Sequence, residues 1–143
     1  MKIPTLVLGS MLLLTNFAAD APKLKGVWKP VTGELGGKPF PEPVLKNITL
    51  TITNATYDVV VIEPQGAQHD RGTVKYLTNL KPKGMDVTGT NGPNQGKTLP
   101  AIYELDGDML RVCYNLGGTN RPTEFKTAAG GQLFFVTYQR KKD

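Results

Sequence analysis

The stretch Ile48-Thr49-Leu50-Thr51-Ile52-Thr53-Asn54-Ala55-Thr56-Tyr57-Asp58-Val59-Val60-Val61-Ile62 decides the fold class. Ile48, Leu50 and Ile52 alternate with Thr49, Thr51 and Thr53, so one face of the segment is apolar and the other polar. That period of two marks a half-buried strand, because successive side chains of extended backbone point to opposite faces. Asn54-Ala55 suits a tight turn, and beyond it Tyr57, Val59 and Val61 oppose Asp58, Val60 and Ile62. The segment therefore reads as two strands joined by a turn.

The same reading extends in both directions. Towards the N-terminus, Glu42 to Lys46 has room for one helical turn, Gly33 to Pro43 is too rich in Gly and Pro for a long element, and Gly26 to Val31 is a first strand holding Trp28. Towards the C-terminus, Pro64-Gln65-Gly66 breaks the strand, and Gly72 to Leu77 and Met85 to Thr88 are two further short strands. A long turn from Gly89 to Lys97 leads to Leu99 to Leu105, and Asp106-Gly107 connects it to Met109 to Tyr114. Asp-Gly between alternating apolar runs is a strong hairpin signal. A loop holding Gly117-Gly118 and Arg121-Pro122 precedes the final strand, Gln132 to Arg140. About eight strands with no helix of useful length predict an all-β domain, either an antiparallel sandwich or a single antiparallel up-and-down barrel.

With 143 residues the chain has room for one compact core and not for a second of normal size. Hydrophobic residues at 39% and charged residues at 20% describe a folded chain rather than a disordered one. One Cys cannot form an intrachain disulfide, and one Cys with one His cannot build a Cys₄ or Cys₂His₂ zinc site. Ser10 is the only Ser and lies in the N-terminal segment, so no Ser-His-Asp triad is expected. The basic residues outnumber the acidic by 17 to 12 but are scattered singly, with Arg140-Lys141-Lys142 the one run. A nucleic-acid footprint needs clustered cations with aromatic platforms, so no nucleic-acid partner is expected.

The first residues read as a targeting segment. Lys2 supplies a positive start, Ile3 to Leu14 is nearly all apolar, and small residues follow in Phe17-Ala18-Ala19-Asp20-Ala21. The run is shorter than the roughly 20 residues a membrane span requires, and it suits a signal peptide. Residues 1–21 are thus assigned to the signal and 22–143 to the mature domain, which has no apolar stretch long enough to span a membrane. The expectation is an exported monomer, in the periplasm, at the cell surface or secreted.

Candidate chemistry is sparse. Gly92-Pro93-Asn94-Gln95-Gly96-Lys97-Thr98 has three residues between its glycines where a phosphate-binding loop needs four, and Leu99-Pro100 enters a strand rather than a helix. His69, beside the strand break at Pro64-Gln65-Gly66, has no second His and reads as a solvent-exposed loop residue. Glu104, Asp106 and Asp108 cluster about a hairpin tip, where turn formation accounts for the aspartates. Cys113 sits in a strand with no His nearby to activate it and reads as a packed residue. No catalytic set, metal site or cofactor is expected.

Leu24-Lys25-Gly26-Val27-Trp28 places a Gly-x-Trp on the first strand, which resembles the opening signature of lipocalins and related calycin barrels. The resemblance implies that Gly26 and Trp28 close one barrel end and that an Arg of the last strand packs across the indole. Arg140 is the matching residue, with Arg111 second. More of the chain is covered by Gly36-Gly37-Lys38-Pro39, Gly96-Lys97-Thr98-Leu99, Ile102-Tyr103-Glu104-Leu105-Asp106-Gly107-Asp108, Leu110-Arg111-Val112-Cys113 and Arg121-Pro122-Thr123-Glu124-Phe125, in that order. Together these resemble a family of uncharacterised, often exported domains described mainly from planctomycete bacteria and regarded as lipocalin-like. That resemblance implies the barrel and brings with it neither an activity nor catalytic residues. The short mature chain departs from lipocalins and argues against a roomy interior, since an eight-stranded barrel can be filled by its own side chains.

The leading expectation is a non-enzymatic exported binding module that holds a small apolar or amphipathic ligand in the barrel or at its mouth. The alternative is a periplasmic or cell-surface domain with a filled barrel that engages an envelope protein through its loops. Tyr103, Arg121 and Glu124 supply a phenol, a cation and an anion that a barrel mouth could assemble into a ligand site. The plainer reading pairs Arg121 with Glu124 to hold the loop Asn115 to Lys126.

Overall fold

The computed structural model describes residues 20–142. In chain order the strands are β1 (Gly26–Leu35), β2 (Lys38–Pro39), β3 (Ile48–Thr53), β4 (Thr56–Glu63), β5 (Gly66–Leu77), β6 (Gly84–Asn91), β7 (Thr98–Asp106), β8 (Met109–Asn115) and β9 (Leu133–Arg140); residues 20–24 are helical, and a short helix, Glu42–Leu45, lies between β2 and β3. The hairpin read from the alternating segment forms with Leu50 opposite Val59 and Ile52 opposite Tyr57. From β3 to β9 each strand pairs antiparallel with the next, and β1 pairs with both β3 and β9. Eight long strands thus close an up-and-down antiparallel barrel, and two-residue β2 is an appendage on the far end of β1.

Closure depends on a bend in β1. Its first residues pair with β3, Trp28 lying opposite Leu50, while the strand from Trp28 to Leu35 runs along β9 with an irregularity between Pro30 and Thr32. An extra residue at such a point sharpens the local twist and turns a strand from one neighbour to another. Where β1 leaves β3, Phe40 and the helix bearing Leu45 come in beside it, and a Cβ at Gly33 would lie 3.2 Å from the Leu45 side chain.

β1 and β6 run past their expected ends, to Leu35 and Asn91, and β5 differs most from its sequence reading. β5 starts at Gly66, not Gly72, so His69 lies within a strand opposite Val60 rather than in a loop. The segment Gln68-His69-Asp70-Arg71 lacks the apolar alternation that signals a strand, and backbone pairing to β4 holds it extended all the same. His69 faces outward, half-buried, with Nδ1 3.0 Å from the Asp58 carboxylate and Arg71 at the same carboxylate.

Inward residues alternate along every long strand and meet in one core that includes Trp28, Leu50, Val74, Leu99, Val112 and Val136. A smaller apolar contact lies outside the barrel wall. Ile102 and Cys113 point away from the core yet are buried, because residues 116–132 fold back over β7, β8 and β9. Phe125 of this segment packs near Phe135 and receives the Arg111 guanidinium over its ring at 4.7 Å. Among the described residues no helix is long and apolar enough to cross a membrane.

Candidate functional site

The barrel has two unlike ends. At one, where β1 begins and β9 finishes, residues 20–24 are helical and lie across the opening. Leu24 and Trp28 are fully buried there, and the Trp28 indole N–H donates to the Leu24 carbonyl at 3.0 Å. Arg140 lies over the indole, its guanidinium carbon 4.3 Å from the ring centroid. Its nitrogens donate to the Lys25 carbonyl (2.6 Å), the Lys23 carbonyl (2.7 Å) and the Asp108 carboxylate (3.0 Å). A flat guanidinium can stack on an aromatic face while its edge donors stay available, and an ammonium cannot. Gly26, at φ +148°, leaves the necessary space, since a Cβ there would stand 2.8 Å from an Arg140 nitrogen.

Asp20 completes this end. Its carboxylate accepts from the Tyr103 hydroxyl at 2.6 Å and from Lys83 at 2.9 Å. Burial pushes the Asp20 carboxyl up, but the bonds from Tyr103 and Lys83 and the charges of Lys83 and Lys23 outweigh it and hold it below the ordinary range. Burial first, then the Asp20 bond, holds the Tyr103 hydroxyl well above its ordinary value. The folded unit thus includes Asp20 and Ala21, which lie on the signal side of the boundary read at residue 22; residues 1–19 of that signal fall outside the described residues.

The opposite end is open and leads into a cavity of about 300 Å³ inside the barrel. Its rim carries Leu35, Phe40, Leu45, Ile48, Val61 and Leu116, and its walls Leu50, Val59, Val87, Leu99, Val112 and Val136. Tyr114 and Phe40 stack on either side of Phe134, at 5.7 and 5.5 Å between ring centres, and give one rim an aromatic wall. The volume lies at the lower limit of ligand pockets, about 300 to 1,000 Å³, and the lining has their usual character.

A few polar groups face this apolar space. The Asp70 carboxylate accepts from the Tyr57 hydroxyl at 3.3 Å and from the Asn94 amide at 2.8 Å, and Tyr114 and Tyr138 also line the cavity. Glycine at position 72 makes this possible: the register shifts between Arg71 and Gly72, and a Cβ at 72 would overlap the Thr88 carbonyl oxygen and stand 2.7 Å from the Tyr57 ring. Burial, then the Asp70 charge and bond, holds the Tyr57 hydroxyl well above its ordinary value. Burial pushes Tyr138 up to about 12. These phenols therefore stay protonated at neutral pH and act as donors.

The three residues read as a mouth site are not brought together. Tyr103 belongs to the closed end, through Asp20. Arg121 is clamped to the outer wall, donating to the carbonyls of Met85 (3.0 Å) and Ala101 (2.9 Å) and to the Asp86 carboxylate (2.6 Å). Glu124 is exposed and pairs with Lys126 at 3.0 Å, so the Arg121–Glu124 pairing is also absent. The reason is that residues 117–132 fold back over the outer wall, so that of this loop Leu116 stands on the cavity rim.

The polar groups that do face the cavity, Asp70 and Asn94, were not singled out by sequence reasoning. Asp70 lies in the polar run Gln68 to Arg71, which carries no strand signal, and Asn94 in the long turn Gly89 to Lys97, whose direction no local pattern fixes. The one available signal is the pair of glycines about them, Gly72 and Gly89, each of which leaves no room for a Cβ. No protein-family model, curated protein or solved structure matches the chain. What the cavity can hold must be read from its own lining.

Proposed function

We propose that the protein is a binding module that takes a small apolar or amphipathic ligand into the barrel through its open end. The observation that carries this reading is the cavity of about 300 Å³, walled by aliphatic and aromatic side chains and open at one end only. Burying apolar ligand surface there gains roughly 25 cal/mol per Å². An empty apolar space has no comparable stabilising role, because a core gains from close packing. A barrel filled by its own side chains and working only through its loops is the less favoured reading on the same observation.

The module acts after export, on the strength of Lys2 and the apolar run Ile3 to Leu14. It belongs with the planctomycete-type domains whose five motifs it resembles, and it binds without chemistry. Native mass spectrometry of the protein purified from its own cell envelope tests the reading. A retained small molecule, lost when cavity-wall Val112 is replaced by Trp, is the expected result. A bare mass under conditions that preserve weak complexes, together with failure to take up added alkanols, counts against it.

A further inference from the structure

The ligand class can be narrowed, resting on the reading of the cavity as a binding site. Asp70 is an acid on the wall of an otherwise apolar space, and among the described residues no Lys, Arg or His pairs with it. The basic residues next to it in sequence, His69 and Arg71, point to the outer face, where both are occupied by Asp58. The side chains that donate to Asp70, the Tyr57 hydroxyl and the Asn94 amide, are both uncharged. A carboxylate has about four acceptor positions, and two are used here. The charge and the spare acceptors call for a cationic donor.

We propose that the cavity is selective for small amphiphiles with a protonated amine, whose ammonium group pairs with Asp70 while an alkyl or aromatic body fills the space between Leu99, Val112 and Val136. Tyr57 and Asn94 hold the carboxylate in place by donating to one oxygen each. An anionic head group is disfavoured at the same point by like charge, so fatty-acid-like ligands bind more weakly. Charge-assisted hydrogen bonds are roughly twice as strong as neutral ones, and a hydrogen bond to a charged group separates ligands by about tenfold to a hundredfold in affinity.

Isothermal titration of the full-length processed protein with octylamine, octanol and octanoate, at neutral pH and low salt, tests this. The expected order is octylamine tightest by at least about tenfold, then octanol, then octanoate, with Asp70→Asn bringing the amine close to the alcohol. Asn preserves the shape and one acceptor, and if the variant fails to fold, the ranking in the unaltered protein decides. Equal affinities, a preference for octanoate, or an amine preference untouched by Asp70→Asn would overturn the amine assignment and leave the apolar pocket standing. No saturable binding of any of the three would overturn both.

Discussion

Trp28 is the residue on which the closed end turns, because a barrel end exposes the edges of its core and a wide ring covers that gap. Its indole is fully buried and Arg140 lies across it at 4.3 Å. Trp28→Ala should cost about 3 to 5 kcal/mol in urea unfolding, the range for removing a large buried aromatic. Arg140→Lys should cost less, since the ammonium keeps the charge and loses the stack and the two-carbonyl fork. Beside them, Asp20 is held ionised by Tyr103 and Lys83 against the opposing effect of burial. A carboxyl lowered on folding stabilises in full above its unfolded value near 4, and that contribution is lost as pH falls through the lowered folded value. Asp20→Asn should therefore flatten the acid limb of a stability-versus-pH curve. At this scale Trp28 can be named from sequence by its Gly-x-Trp, and Arg140 by the last-strand Arg that the calycin resemblance implies. Asp70 and Asn94 could not, being 24 residues apart and joined only by the irregularity at Gly72.

Among the elements, the segment 116–132 shows how a loop can be read for composition and still be misplaced. Its Gly, Pro and Asn content marks it as irregular, but nothing in it says which way it folds. Arg121 decides that, by donating to two backbone carbonyls and the Asp86 carboxylate on β6 and β7. Cys113, beneath this flap, is buried, and burial pushes its thiol up. The thiol should accordingly react slowly with a thiol reagent in the native protein. Arg121→Ala should speed that labelling several-fold and lower stability by about 1 to 3 kcal/mol, the scale for hydrogen bonds to a charged group. Equal labelling rates in the two proteins would show that the flap is held by Pro122 and Phe125 instead. β5 gives the complementary case. Its first half has no apolar alternation, so a rule based on burial misses it, while the hydrogen-bonding demand of β4 recruits it regardless. The helical residues 20–24 belong to this scale too. If a leader is removed on export, the cut should fall on the N-terminal side of Asp20, since a later one would strip the Tyr103 hydroxyl of its partner. Intact-mass measurement of the mature protein reads this directly.

For the whole molecule, period-two alternation and the Asp106-Gly107 hairpin indicate sequential antiparallel pairing, as a barrel or a sandwich, and the Gly-x-Trp resemblance favours the barrel; among the eight long strands order follows chain order. Whether that barrel is hollow was not legible. It depends on how eight inner faces mesh, and the short chain pointed towards a filled interior. The structure leaves about 300 Å³ open. The fold also has a shared alkaline limit. Burial first of all pushes Tyr76 and Tyr138 up to about 12, from an ordinary value of 10. Their contribution to stability is whole below about pH 10 and is lost as pH rises from there towards 12, because the unfolded chain gives up these protons first. Urea midpoints should accordingly fall as pH rises beyond about 10, after a smaller loss from about pH 9 as the Cys113 thiol, also pushed up by burial, begins to ionise in the unfolded chain. The central claim, that the space inside the barrel takes up ligand, is tested most directly by following methyl NMR signals during titration with octanol. Saturable shifts at inward-facing Val87, Leu99, Val112 and Val136, with exposed Val31 and Val44 unmoved, are the predicted result. Shifts confined to Val31 and Val44, or no saturation at any methyl, would contradict it.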